Sequence, residues 1–281
     1  MENFVLKARG VWAIVGVLGL LLGASGARAQ TTAPLLDWQN SAGVVLRSLG
    51  GPVPDWEVSV GGGGGVLPAY EGSDSLRFAP AFLLDVRYKD TFFVSSGEGV
   101  GVNLLHGDFY RAGVALAFDP GREHNAATRL SGTGNIDPAP EPKIFAQYAI
   151  VPVVFTFDLR YRATSQQGFV GDVGVYMPVV GNKTVQVFMG PSVTFADDDY
   201  MNTYFGVTPN HAAPHSQFPT FQAHGGFKNA NFGLTALYHF DDHWFVDLDA
   251  GIERLLGSAA DSPIIQTKWG VGANAEIAYT F

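Results

Sequence analysis

The chain has 281 residues, no cysteine, and 17 basic against 26 acidic residues, a net charge of −9. Thiol chemistry and cysteine metal sites are excluded, and an acidic chain is a poor partner for nucleic acid. The 35 glycines and 21 phenylalanines, set among few charges, suit many strands with tight turns and not a helical enzyme.

Residues 1–29 read as a cleaved secretory signal. Lys7 and Arg9 form the positive region, Val11 to Leu22 the apolar run, and Ala27-Arg28-Ala29 the small-x-small site before Gln30. That run is too short to span a bilayer comfortably. Cleavage would remove Lys7, Arg9 and Arg28 from the 17 basic residues and Glu2 from the 26 acidic ones, leaving 14 and 25 and a mature charge of −11. No later stretch holds the ~18 apolar residues of a membrane helix. Export then leaves two destinations, the periplasm or an outer-membrane barrel. Residues 30–54, with Pro34, Pro52 and Pro54, read as a periplasmic lead-in.

From Asp55 onward the apolar residues recur with a period of two, the signature of strands with one greasy face. Trp56, Val58 and Val60 begin the pattern. It returns at Phe78 to Tyr88, at Val153 to Tyr161, at Phe232 to Phe240 and at Trp244 to Ile252. In the closing stretch Trp269, Val271, Ala273, Ala275, Ile277, Tyr279 and Phe281 alternate with small or polar residues. A final strand ending on aromatic residues fits a lipid-facing surface with aromatics at the interface, and such endings also serve barrel assembly. A soluble sandwich alternates too, but its strands seldom carry large apolar side chains beside the turns and paired opposite charges at mid-strand.

The expected strands lie near 55–65, 76–88, 91–95, 98–105, 109–118, 143–149, 152–162, 168–178, 184–195, 221–240, 243–253 and 268–281. That makes twelve, with ten as the alternative count. Lys89-Asp90, His106-Gly107-Asp108 and Asp241-Asp242 are short turns, whereas 119–142, 196–219 and 254–267 are long. Short turns on the periplasmic side and long loops outside place both termini in the periplasm. The fold class is all-β, a transmembrane antiparallel β-barrel over 55–281. The expected place is the outer membrane of a Gram-negative cell, among lipid and lipopolysaccharide, as a monomer.

The alternation aims Arg77, Asp85, Arg87, Arg111, Asp158, Arg160, Arg162, Asp172, Asp247, Asp249 and Glu253 into the lumen. Opposing charges and long loops favour a largely plugged bore, with a narrow polar pore as the alternative. No metal or cofactor is expected. Asp197-Asp198-Asp199 lacks the spacing of a calcium loop, and Pro209 and Pro214 break the helix that would aim His211 and His215 at zinc. Gly61 to Gly65 lead into Val66-Leu67-Pro68, not into the helix N-terminus of a phosphate cradle; they suit a strand end, a bulge or close packing against a loop. Ser and His occur without a local catalytic signature, so no enzyme is expected.

Two loop segments are more specific. They are Tyr200-Met201-Asn202-Thr203-Tyr204-Phe205-Gly206-Val207-Thr208 and Arg254-Leu255-Leu256-Gly257-Ser258-Ala259-Ala260-Asp261-Ser262-Pro263-Ile264. With Pro68-Ala69-Tyr70-Glu71-Gly72-Ser73-Asp74, Leu130-Ser131-Gly132-Thr133-Gly134 and Gly225-Gly226-Phe227-Lys228, they resemble the MipA/OmpV family of outer-membrane proteins, the MltA-interacting proteins. The resemblance covers roughly 55–281. The family usually carries Asp where this chain has Ser258. It implies a non-enzymatic outer-membrane protein and offers no catalytic residues. In some members the role is a scaffold between a lytic transglycosylase and a peptidoglycan synthase. Others look like adhesins or surface antigens, or affect passage of small solutes. The expectation is therefore a scaffold or contact protein, with a narrow channel as the alternative. Tyr200, Met201, Thr203, Tyr204, Phe205, Gly206, Leu255, Leu256, Asp261, Ser262 and Pro263 either brace the barrel from inside or meet a partner. Their aromatic and small apolar character favours burial.

Overall fold

The computed structural model describes residues 54–209 and 218–281. The expected signal segment, nearly all of the 30–54 lead-in, and His211 and His215 lie outside the described residues.

Twelve strands form one closed antiparallel ring in which each strand pairs with its sequence neighbours and the last returns to the first. They are β1 (Trp56–Pro68), β2 (Leu76–Tyr88), β3 (Phe92–Ser95), β4 (Gly99–Gly107), β5 (Tyr110–Asp119), β6 (Ala139–Ile150), β7 (Val153–Arg162), β8 (Gly168–Gly181), β9 (Val185–Ala196), β10 (Gly226–His239), β11 (Trp244–Leu255) and β12 (Trp269–Thr280). Two short helices sit in the loops, α1 (Asp198–Phe205) and α2 (Gly257–Asp261). Among the described residues no helix is long and apolar enough to cross a membrane. The strands do the crossing.

The period of two explains both faces. Outward positions such as Phe78, Phe118, Phe155, Ile252, Val271 and Ile277 are large, apolar and exposed. Aromatics gather at the two ends of this band. Trp56 lies 4.6 Å from Tyr88, and Trp244 5.0 Å from Tyr279, at the periplasmic rim. Tyr161 and Phe169, 4.7 Å apart, mark the outer rim. From Phe78 to Tyr88, ten residues at about 3.3 Å each and tilted ~40°, the band is ~25 Å tall, the depth of a bilayer's apolar layer.

The seam joins β1 to β12 from Ser59↔Thr280 to Val66↔Ala273. The glycine run lies within β1 and neither ends it nor meets a loop; its close packing is against the neighbouring strand β12. A Cβ at Gly63 would fall 1.9 Å from the Ala275 carbonyl oxygen, so only glycine lets the strands approach so closely.

Prolines fall where the ladder needs no donor. Pro140 and Pro142 begin β6 above its first registered pair with β7, Lys143↔Arg160. The strand starts at Ala139 and not at the expected 143, with Pro140 and Pro142 paired to Phe118 and Leu116 of β5. Strand β10 starts at Gly226 and not at 221; Phe221 instead makes an isolated bridge to Val207.

One sector of the wall is shorter than the rest. Strand β3 pairs with β2 only from Asp85 to Tyr88. Strand β4 pairs with β5 no higher than Leu116. The β3–β4 hairpin therefore closes the ring only in its periplasmic half. Above it Leu76 to Leu83 pair with β1 on one side and with no described strand on the other.

Candidate functional site

Two polar and apolar assemblies occupy the barrel's interior, one in the mouth and one in the bore.

The mouth is filled by its own loops. Asp197 caps α1 by accepting from Tyr200 N at 2.8 Å, and Asp198 and Asp199 suit the positive end of the helix dipole. The spacing 200, 201, 204, 205 puts Tyr200, Met201, Tyr204 and Phe205 on one face, and all four are buried. They pack with Val170 of β8, Ala196 of β9, Leu255 of β11 and Ala259 of α2. The rings of Tyr200 and Tyr204 stack 4.8 Å apart. Gly168 makes room for the helix start, since a Cβ there would lie 2.3 Å from Tyr200 N.

The carbonyls that a helix end leaves orphaned find donors. Arg122 Nη1 donates to Tyr204 O at 2.6 Å, Ser262 Oγ to Phe205 O at 2.5 Å, and Gly206 N to Asn202 O at 3.0 Å. The Tyr204 hydroxyl donates to Asp119, whose Oδ2 also accepts from Arg162 Nε at 2.9 Å. Arg162 is fully buried and spends its remaining donors on Thr164 Oγ1, Gln166 O and Asp137 O. A second cluster joins Ala69, Tyr70, Leu130, Val207, Phe218 and Ile264 from four loops. There the Tyr70 hydroxyl donates to Ile264 O at 2.8 Å. Burial pushes the Tyr70 phenol up to about 12 and the Tyr200 phenol well above its usual value, and it lowers Arg122. Burial therefore favours neutral phenols in the mouth, and the Tyr70 and Tyr204 hydroxyls serve as donors.

Among the expected loop residues, Tyr200, Met201, Tyr204, Phe205, Leu255 and Ser262 are buried, Thr203, Gly206, Leu256 and Pro263 half-buried, and Asp261 exposed. Asp261 meets Lys268 at 3.2 Å on the surface. Ser258 accepts from His224 N at 3.0 Å.

Of the eleven expected charges, Arg162 belongs to the mouth; the other ten lie on strands around the bore. Arg87 bonds Asp85 at 2.8 Å and shares Glu98 with Arg111, whose Nη2 lies 2.6 Å from Glu98 Oε2. Arg111 also stacks over Phe93 and Phe145, 4.7 Å from each ring centre. Arg160 bridges Asp158 and Asp172. Asp249 accepts from Thr235, Glu253 from Asn229 at 3.3 Å, and Asp247 faces Glu276 across the register. Arg77 stands half-buried near the top of β2.

Sequence reasoning missed Glu98, Asp119, Arg122 and the pair Lys228–Glu71, joined at 2.8 Å. Glu71 and Lys228 belong to two of the quoted motifs, so their shared inward position is what links those motifs. Glu98 and Asp119 lie at the ends of hairpins, where alternation no longer tells inside from outside. Among the described residues no group of three or more His, Asp or Glu is placed to hold a metal ion.

A closed antiparallel ring with an apolar outer band and a charged, loop-filled interior is an outer-membrane β-barrel. The model of the family described as MltA-interacting protein MipA matches residues 60–281, and the chain belongs to that family. Outer membrane protein Omp26La of Vibrio anguillarum is 25% identical over 214 residues, which cover 75% of this chain and 76% of that protein. Among solved structures, a bacterial polysaccharide outer membrane secretin aligns with a TM-score of 0.41 and 10% identity, over 82% of this chain and 100% of its own. Outer-membrane OmpT of Vibrio cholerae aligns with a TM-score of 0.35 and 11% identity, over 81% and 97%. These two likenesses are too remote to bear on function. The protein resides in the outer membrane.

Proposed function

We propose that this protein is a non-enzymatic contact protein of the outer membrane, a barrel that holds a peptidoglycan-remodelling enzyme at the inner face of that membrane. The partner class is a lytic transglycosylase, with a peptidoglycan synthase joined through it. The observation that carries this reading is the filled mouth. Tyr200, Met201, Tyr204, Phe205 and Leu255 are spent on packing, which leaves little of the motif-bearing loops for a partner outside. The family's own description, MltA-interacting protein, points the same way. Contact then falls to the periplasmic rim, where Lys89, Asp108, Lys183 and Asp242 are exposed. Residues 30–54 add to that side once the signal 1–29 is removed.

Full-length tagged protein should recover a lytic transglycosylase from envelope extracts, identified by mass spectrometry, above the level of an unrelated barrel. Recovery equal to that control sinks the scaffold. In planar bilayers the filled mouth should give no resolvable single-channel current, whereas steady unitary steps would favour a channel for small polar solutes.

A further inference from the structure

The short β3–β4 hairpin sets the wall of the barrel against the lipid around it. Backbone direction along β2 is fixed by two contacts. Lys89 N donates to Asp55 O, so odd-numbered residues address β1; Ser96 N donates to Leu84 O, so even-numbered residues address β3. Above Leu84, the groups of Leu76, Phe78, Pro80 and Phe82 therefore point where β3 no longer reaches, and among the described residues they find no backbone partner. Phe78 and Phe82 on this edge, and Phe118 across the gap on β5, are exposed on the outer surface. The gap thus lies in the outer-leaflet half of the apolar band.

Three features say what fills it. First, Pro80 has no N–H to offer on this edge, which blunts it against an added strand from another chain. Secondly, the lumen face behind the gap lacks bulk: Gly63 and Gly65 stand opposite Ala81 and Ala79, with Leu83 below them. Gly63 is exposed, and Ala79, Ala81 and Leu83 are only half-buried although they face inward. The glycines with Ala79, Ala81 and Leu83 form an apolar strip, bounded by Arg77 and Asp85 along β2 and by Asn274 and Glu276 on β12. Thirdly, ion pairs bound the recess on its periplasmic side: Arg87, Glu98, Arg111 and Asn103 are buried and bonded to one another at the hairpin's level.

We propose that this gap is a lateral portal through which the acyl chain of an outer-membrane lipid enters the upper lumen and lies along the Gly63–Ala81 wall. Open edge groups in hydrocarbon need a polar partner. The guest is accordingly an amphiphile, with its polar end at the level of Phe78 and Phe118, not a bare hydrocarbon.

The absence of cysteine allows a single-label test on the full chain in vesicles of phospholipid with dibrominated acyl chains. Bimane is attached at Ala81→Cys, at outward Val271→Cys, and at Thr235→Cys on the buried side of the lumen. Ala79→Cys provides a second portal position should Ala81→Cys fail to fold. Each labelled protein must keep the heat-modifiable gel mobility of the parent. Brominated chains should quench the portal labels at least roughly threefold more than Thr235→Cys, approaching Val271→Cys. Quenching by aqueous iodide without quenching by lipid would mean a water opening. Protection from both would mean that residues 30–53 or 210–217 cover the gap. Either result overturns the portal and leaves the scaffold reading untouched, because the enzyme pull-down reads the opposite rim.

Discussion

The β8–β12 sector and the β2–β5 sector are built from the same alternating strands and end differently. In the first, strands of 12 to 14 residues stand at full height. Their inward residues, such as Asn229, Thr235 and Asp249, are buried. In the second, a hairpin built on a four-residue strand stops at mid-height. The facing wall of glycine and alanine stays accessible. The difference lies in what the connecting loops carry. Long loops rich in Tyr, Met, Phe and Leu fold back to fill the lumen beside their own strands. The three-residue turn 96–98 can fill nothing, and it contributes only Glu98 to the ion pairs below.

The sharpest way to break this comparison is Arg162→Ala. It should cost about 3–5 kcal/mol, because Asp119 is left buried without its cation, and the heat-modified form should appear at clearly lower temperature. An unchanged transition would mean that the mouth is not held by this pair. A smaller effect separates the sectors directly. Ala259→Leu, in the packed mouth, should cost about 1–3 kcal/mol by overpacking, whereas Ala81→Leu should change unfolding by less than ~0.5 kcal/mol. Equal costs would erase the distinction between filled and open lumen. The smallest effect concerns pH. The Tyr70 phenol is raised by burial, so its contribution is complete below the ordinary value near 10 and lost as pH climbs through about 12. Protease resistance of the loops should fall in that window, and Tyr70→Phe should weaken the dependence while keeping the packing, the remainder coming from the buried Tyr200 phenol.

Much of the barrel was legible because a period of two survives wherever one face meets lipid. All twelve expected strands exist, and Lys89-Asp90 turns where expected, with both residues at positive φ as a two-residue hairpin requires. The expectation of inward charges rests on the same period. What the pattern hid was whatever ran against local preference. Prolines at 140 and 142 looked like loop, because a ladder missing its neighbour cannot be seen from one strand. Helix α1 was read as loop; its eight residues are held by Asp197, Arg122 and Ser262, the last two distant in sequence. The choice between bracing and partner contact for Tyr200 to Phe205 depended on Gly168 and Leu255, whose proximity only the closed ring creates.

The seam between β1 and β12 bears on the order of events as the chain folds. The hydroxyls of Ser59 and Thr280 lie 2.8 Å apart across a sequence separation of 221 residues, whereas the other ladders join sequence neighbours. Loop closure is costliest there, so the ring should shut last at this pair, after the hairpins have formed. A β1 edge made of five consecutive glycines offers few side chains to lock a wrong pairing, and β12 can slide along it until Ser59 meets Thr280. Smoothness that serves close packing in the finished wall also serves as a kinetic allowance for late correction.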